Sequence, residues 1–424
     1  MSRFAGIKNN HIQIISDTKM HSDDYSVIEI PNSLNNISDT DLILKYKYNN
    51  KFYTKYSNKS AKDLKIALVS NYGTKCGIAT YSKFLYDEII KLIGDYKLFI
   101  EKNDIYEIEN PNIPDDKIMP CWKRGEGLSE LVFKLKEYDP DIIWINHEYG
   151  LFPDAKHWLS FISQLSDYRI ITTLHSVFHH KDKTICEAVI PEIIVHLDGA
   201  KDVLKNEKKI SGNVYVIPHG CYPLDNNRLW NFYKSEHTII QMGFLFRYKG
   251  WQEALKTINL LKPKYKDIFF TGICSESPFA TIEHQIYYNE LIELINQLDI
   301  KDNVSLIRGF QSENVLDSYF KTNRVALFPY VSHPEHEVFG ASGAARLAMS
   351  KGLPVISSNV NHFIDLPTIK AVSPEQMAQE IDKIFSDNQL YQEQLDKQNK
   401  YIIENSWTQV AIKHIKIFEN PPTT

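Results

Sequence analysis

Cysteine is scarce and scattered: five in 424 residues, at Cys76, Cys121, Cys186, Cys221 and Cys274, an odd number with no C-x-x-C pair. That spacing argues against a disulfide framework or a zinc knuckle, and a reducing, cytoplasmic setting is expected. No stretch approaches the ~18–20 apolar residues of a membrane-spanning helix. The opening MSRFAGIKNNHIQIISDTK lacks an uninterrupted apolar core, so no secretory signal is expected. An excess of positive charge is missing too. Lys and Arg number 48 against 53 Asp and Glu, a net charge of −5, which argues against a chain devoted to wrapping nucleic acid and leaves room only for a local basic groove. What is present is ordinary for a globular protein. At 43% hydrophobic and 24% charged, wholesale disorder is excluded, and the length suggests two or three domains.

Residues 1–63 read as a polar N-terminal extension, with NSLNNISDTD and a Lys/Tyr-rich stretch from Lys45 to Lys59. Alternation such as YSVIEI suggests an added strand or a cover for the first domain. From Lys65 the pattern changes. Short β-branched runs (KIALVS, KLFI, DIIWIN, RIITTL, EIIVH, NVYVIP) alternate with amphipathic stretches, which predicts a parallel sheet covered by helices on both faces. A polar stretch from Tyr222 to His237 is expected to serve as a linker. The rhythm then restarts with TIIQMGF, DIFFTG, NVSLIRG, RVALFPY and GLPVISS. Two doubly wound α/β domains are therefore expected, 64–225 and 226–404, facing a cleft. The tail 405–424, with helical spacing in WTQVAIKHIKIF, is expected to cross back onto the first.

In open α/β sheets ligands sit beyond the carboxyl ends of strands, so functional residues are sought just after strands. After the first strand, NYGTKCGIATYS places Gly73 and Gly77 around a loop, and a helix starting near Ile78 offers free N–H groups to an anion or a sugar hydroxyl. The spacing is not G-x-G-x-x-G, which disfavours a nicotinamide cofactor. INHEYGLF brings His147 and Glu148 to a strand end, where at most one need face a ligand; a buried histidine–carboxylate pair is the plainer reading. TTLHSVFHH presents His175 as the first polar group beyond its strand, able to donate a hydrogen bond or orient a hydroxyl. His179 invites a metal with it, but no further ligand falls at helical spacing.

GFLFRYKGW sets Arg247 and Lys249 behind the Gly243 turn and before a helix, an arrangement suited to a diphosphate. PYVSHPEHEVFGASGAAR supplies an acidic loop with Glu335 and Glu337, then Ser342-Gly343-Ala344 opening a helix, where small residues let phosphate or sugar oxygens approach backbone amides. A serine N-cap with small residues for packing is the plainer alternative. Two D-x-D sequences occur. Asp139-Pro140-Asp141 precedes its strand, and Asp39-Thr40-Asp41 lies in the polar extension, so neither passes the filter and no metal is expected.

Taken together, KCGIATYS, HEYGLF, TLHSV, VIPHG, GFLFRYKGW and PY…E…SGAARLAMSKGLPVI resemble the GT-B glycosyltransferases, specifically family 4 and its Ser-Gly-Ala branch. The resemblance begins near Lys65 and leaves the extension outside. It implies two Rossmann-like domains, a donor site formed by Gly77, Gly243, Phe244, Glu335, Ser342, Gly343 and Ala344, and a catalytic set of His175, Lys249, Arg247 and Glu337. His147, Glu148 and Ile78 would lie on the acceptor side, and His219-Gly220 at the hinge. Either Glu335 or Glu337 matches the family's first glutamate. Its second, five residues before the glycine of G-x-P-V, is replaced by Leu347, and the family arginine after the turn glycine is replaced by Phe244, with Arg247 as substitute.

The function so implied is a cytoplasmic, retaining, metal-independent transfer of a hexose from a UDP- or GDP-linked sugar to a glycan, lipid-linked or other hydroxyl acceptor, with peripheral membrane contact compatible. Competing readings are a catalytically silent nucleotide-sugar or glycan binder, a nucleotide-sugar epimerase and a nucleic-acid-modifying glycosyltransferase. The acidic balance counts against the last.

Overall fold

The computed structural model describes the backbone of 3–8, 11–16 and 26–30 and, with side chains, residues 59–102, 112–181, 185, 188, 190–210, 212–225, 236–276, 280–332 and 337–420. Strands β1 (Arg3–Lys8), β2 (His11–Ser16) and β3 (Ser26–Ile30) form an antiparallel sheet of their own in the order β2-β1-β3. Asp39-Thr40-Asp41 and 45–58 lie outside the described residues.

The chain divides into two compact units: Met1–Thr74, Ile78–Ile217 and Ala411–Thr424 in one, Lys75–Gly77 and Pro218–Val410 in the other. The first holds β4 (Lys65–Ser70), β5 (Asp95–Glu101), β6 (Ile118–Trp122), β7 (Ile142–His147), β8 (Arg169–Leu174), the short β9 (Ser176–Phe178), β10 (Glu192–Val195) and β11 (Asn213–Val216). Its seven-stranded parallel sheet runs β11-β10-β8-β7-β4-β5-β6, reversing direction of growth between β4 and β7. Every residue of β7 and β8 is buried, which is why both read as near-continuous apolar runs. Helices α1 (Gly77–Ile89), α2 (Ser129–Tyr138) and α3 (Ala155–Gln164) follow β4, β6 and β7, and the short α4 (Asp198–Asp202) follows β10.

The second unit repeats the plan with β12 (Thr238–Phe244), β13 (Phe269–Ser275), β14 (Val304–Arg308), β15 (Val325–Phe328), the short β16 (Val338–Gly340), β17 (Val355–Ser357) and β18 (Ile369–Lys370). The sheet order β14-β13-β12-β15-β17-β18 is parallel throughout, with its switch point between β12 and β15. The two-residue period divides each strand between two apolar layers. Ile239, Val325, Leu327 and Ile356 pack in one layer with α5 (Trp251–Leu261), α6 (Thr281–Gln297) and α9 (Pro374–Ser386). In the other layer Ile240, Ala326, Phe328 and Val355 pack with α8 (Gly343–Ser350), which follows α7 (Glu313–Lys321), and with α10 (Asn388–Glu404).

The division between units falls after Ile217, ahead of the 225/226 boundary expected from the polar stretch. Backbone bonds account for this: Cys221 N donates to Asn405 O at 2.8 Å and Asp225 N to Ser350 O at 3.2 Å, so the chain is already tied to the second unit at Cys221 and through the first residues of the polar stretch. The last helix, α11 (Trp407–Glu419), has its C-terminal part in the first unit. There the buried Arg169 holds Glu192 through two bonds of 2.7 and 2.8 Å and donates to Phe418 O (2.6 Å) and Ile417 O (2.7 Å), satisfying carbonyls left open at that helix end.

Gly250 joins the turn after β12 to α5 with φ +69°, and a Cβ there would lie 1.7 Å from Pro329 O at the end of β15. Both the left-handed backbone and the close approach across the switch point demand glycine. Gly250→Ala is expected to destabilise the protein by about 1–3 kcal/mol. A melting temperature equal to that of the parent would contradict this.

Candidate functional site

The second unit gathers a polar cluster at the carboxyl ends of β12 and β15. The turn Arg247–Lys249 is a single 3-10 turn, so its two cations point differently. Lys249 folds back over Gly243, its Cδ 3.7 Å from where a Cβ would be, and its Nζ donates to Tyr330 Oη at 2.8 Å. The same ammonium lies 4.1 Å from the centre of the Tyr330 ring and 4.7 Å from that of Tyr248. Burial works against its charge, but the flanking phenols outweigh burial and hold its pKa above the usual lysine range. Among the described residues no carboxylate pairs with Lys249.

Tyr330 continues the chain of contacts to Ser342 Oγ at 3.5 Å, and Ser342 caps α8 by accepting from Ala345 N at 3.3 Å. His362 backs the cluster. Its ring stacks on Tyr248 at 5.8 Å and meets Tyr330 edge-on at 5.4 Å, and its backbone O accepts from Ser342 N at 3.2 Å. Burial, with the charge of Lys249, pushes its pKa down to about 3. The start of α8 is fixed from below by Arg346, fully buried, which donates to Ser342 O and His219 O at 3.1 Å each and pairs with Asp365. Gly343 lies under His219, whose Nε2 is 3.5 Å from the position of its missing Cβ.

Arg247 is not brought to this cluster. Its guanidinium spans Glu290 of α6 with bonds of 2.6 and 2.7 Å and lies over the Tyr287 ring, so Lys249 stands as the cation of the site while Arg247 is engaged on the helix side. Glu337 accepts from Asn361 Nδ2 at 2.8 Å, next to His362 in sequence. Glu335 lies outside the described residues. Phe244 ends β12 and its carbonyl accepts from Trp251 Nε1 at 3.2 Å.

In the first unit His175 leaves the end of β8 buried at 7% exposure, with Tyr81 of α1 edge-on to it at 4.5 Å. Gly77, counted with the second unit, is the first residue of α1, and among the described residues nothing lies within 4 Å of where its Cβ would be. His147 and Glu148 do not form the buried pair that the plainer reading supposes. His147 is enclosed by Phe152, Trp158 and Tyr149, and burial lowers its pKa to about 3. Glu148 turns instead to Ser176 Oγ (2.7 Å) and Tyr149 N (3.0 Å), while burial raises its pKa. Period-two alternation sends the two neighbours to different surroundings. His179 pairs with Glu207 at 2.8 Å, and among the described residues no three His, Cys, Asp or Glu side chains are grouped to hold a metal. Asp141 accepts from Lys65 N and Lys59 Nζ at 2.9 and 2.8 Å, a fastening before β7. No described helix is long and apolar enough to cross a membrane.

Sequence reasoning missed Tyr330, His362, Tyr248 and Arg346. The search for polar groups just after strands would have reached His362 behind β17; Arg346 carried no such signal. With His147 and His362 neutral when folded and protonated below about pH 6.5 when unfolded, the unfolded chain binds more protons between about pH 6.5 and 3. Stability is therefore full above that window and falls as pH drops through it, by up to about 1.4 kcal/mol per pH unit for each histidine. Melting curves are expected to show this fall, and His147→Phe to make it shallower; an identical slope in that variant would remove His147 from the account.

Residues 225–406 match the family Glycosyl transferases group 1. A glycosyltransferase of Haemophilus influenzae whose activity is uncharacterised is 26% identical over 333 residues, 74% of this chain and 85% of the relative. Among solved structures, Anabaena HepE in complex with UDP and glucose superposes with a TM-score of 0.63 at 12% identity, over 83% of this chain and 98% of the other. A UDP-forming trehalose-phosphate synthase from Burkholderia xenovorans, in complex with glucose-6-phosphate, gives 0.65 at 12% identity, over 84% and 100%. Both sheets and their strand order agree with these likenesses: the fold is that of the GT-B glycosyltransferases, and with residues 225–406 matching the glycosyl transferases group 1 family, the chain is a transferase enzyme, a glycosyltransferase.

Proposed function

We propose that this chain is a retaining glycosyltransferase of family 4, of the Ser-Gly-Ala branch, that moves a hexose from a nucleoside-diphosphate sugar to a hydroxyl acceptor without a required metal. The observation that carries the reading is Lys249, a half-buried ammonium among two phenols with no carboxylate partner among the described residues. Among the described residues such a cation lacks an anion, and a diphosphate would supply one. Gly343 and Ala344 at the start of α8 would add backbone N–H groups, since Ser342 Oγ already occupies Ala345 N. UDP is the first nucleotide to test, because the HepE and trehalose-phosphate synthase structures are described with UDP or as UDP-forming.

In this mechanism the bond between the sugar C1 and the diphosphate oxygen breaks as the acceptor oxygen bonds to C1 on the same face. The acceptor proton passes to the departing phosphate oxygen, and Lys249 with the α8 N-terminus stabilises the charge that develops there. His175 and either Glu335 or Glu337 would hold sugar hydroxyls, with Gly77 and Ile78 on the approach to the donor or acceptor and His147 and Glu148 on the acceptor side. Arg247 joins only by exchanging Glu290 for phosphate, so Arg247→Ala is expected to reduce turnover less than Lys249→Ala.

The test is a thermal-shift panel of UDP-, GDP- and ADP-sugars. A cognate donor at about a hundred times its Kd stabilises the native state by about 2.7 kcal/mol. Lys249→Ala is expected to keep the melting temperature of the free protein, lose the shift and lower turnover by about 10²–10³. A variant that binds and turns over the donor normally would exclude the phosphate role of Lys249.

A further inference from the structure

Parallel register brings a second histidine to His175. Val195 at the end of β10 is paired with Leu174 at the end of β8, so the next residues, His196 and His175, emerge side by side. Val195 is likewise paired with Val216 of β11, which sets Ile217 beside His196. Both rings are buried, at 3% and 7% exposure. Tyr81 fixes their planes, lying 4.5 Å from the centre of His175 and 5.4 Å from that of His196.

The hydrogen bonds run in one direction. His196 Nδ1 is 3.0 Å from Ile217 O, and a carbonyl only accepts, so this nitrogen carries a proton. A buried imidazole favours its neutral form, which leaves His196 Nε2 with a lone pair. His175 Nδ1, 3.3 Å away, must then be the donor. The proton of a neutral His175 is thereby placed on Nδ1, and its Nε2 presents a lone pair.

We propose that His196 is a positioning residue that sets the tautomer of His175, so that His175 accepts a hydrogen bond from a substrate hydroxyl through Nε2 rather than donating one. The substrate half of the statement rests on the proposed glycosyl transfer; the tautomer half rests only on the geometry of the two rings and Ile217. A hydroxyl held in this way must point its hydrogen at His175 and keep its oxygen lone pairs for other donors, which orients the sugar and not merely encloses it.

The test is two-bond 15N–1H correlation spectroscopy of the full-length protein labelled with 15N-histidine, the His175 signals being those lost in His175→Gln. The native protein is expected to show His175 protonated on Nδ1. His196→Phe keeps a flat ring but removes the acceptor and is expected to move His175 toward the Nε2–H form; His196→Gln, which can accept from His175 and donate to Ile217, is expected to keep the native form. With UDP-glucose as the probe, kcat is expected to fall about tenfold in His196→Phe with KM unchanged, and to recover in His196→Gln. A native His175 protonated on Nε2, or a His196→Phe protein with the native tautomer, overturns the proposal. An equal loss of kcat in both variants at native tautomer also overturns it, by showing that His196 serves packing alone. If native protein consumes no UDP-glucose, the choice of donor fails, and the spectra still decide the tautomer.

Discussion

A single lysine ammonium in neutral company organises the second unit. Lys249 sits against the faces of Tyr248 and Tyr330, which attract a cation without neutralising it, and its ammonium donates to the Tyr330 phenol. A partly buried charge left in this state is costly unless something else offsets it. The structure around it avoids adding to the positive charge: His362, in ring contact with both tyrosines, is held neutral by burial and by the lysine itself. In the proposed function an incoming diphosphate would complete the electrostatics, and the same charge that binds it in the ground state would favour the leaving group as the glycosidic bond breaks.

The position of that lysine follows from backbone constraints more than from its own chemistry. A parallel sheet whose growth reverses between β12 and β15 leaves a gap at their carboxyl ends, the place where doubly wound sheets take ligands. Gly250 lets the chain pass within touching distance of Pro329 across this gap, and the next residue, Tyr330, then meets Lys249. Arg346 locks Ser342, His219 and Asp365 together beneath α8, so the small-residue turn is held by a buried charge network. The first unit uses its sheet in a parallel way. Its register delivers His175, His196 and Ile217 from three adjacent strand ends into one line of hydrogen bonds.

Several of these features were legible before any coordinates. Lys249 and Ser342 stand out because each follows a buried strand and precedes a helix, and the six segments in order resemble one enzyme family. Arg247 carried the same signal as Lys249, and sequence could not separate them. Their separation depends on Glu290, 43 residues away, reaching one member of a tight turn. His147 and Glu148 illustrate the same limit. Their adjacency suggested a pair, but a strand alternates its faces, and aromatic residues from β7's following loop and α3 enclosed the histidine.

The amino-acid sequence alone determined the class of fold and the strand ends at which chemistry belongs, because apolar runs, their period and the turn residues between them are local quantities. It determined as well which residue types stand there. Tertiary structure decided which of them act together. Whether a cation is paired, whether a histidine is enclosed and which of its nitrogens holds a proton depend on partners brought from distant parts of the chain. Those are properties of strand register and packing, which no window of sequence contains.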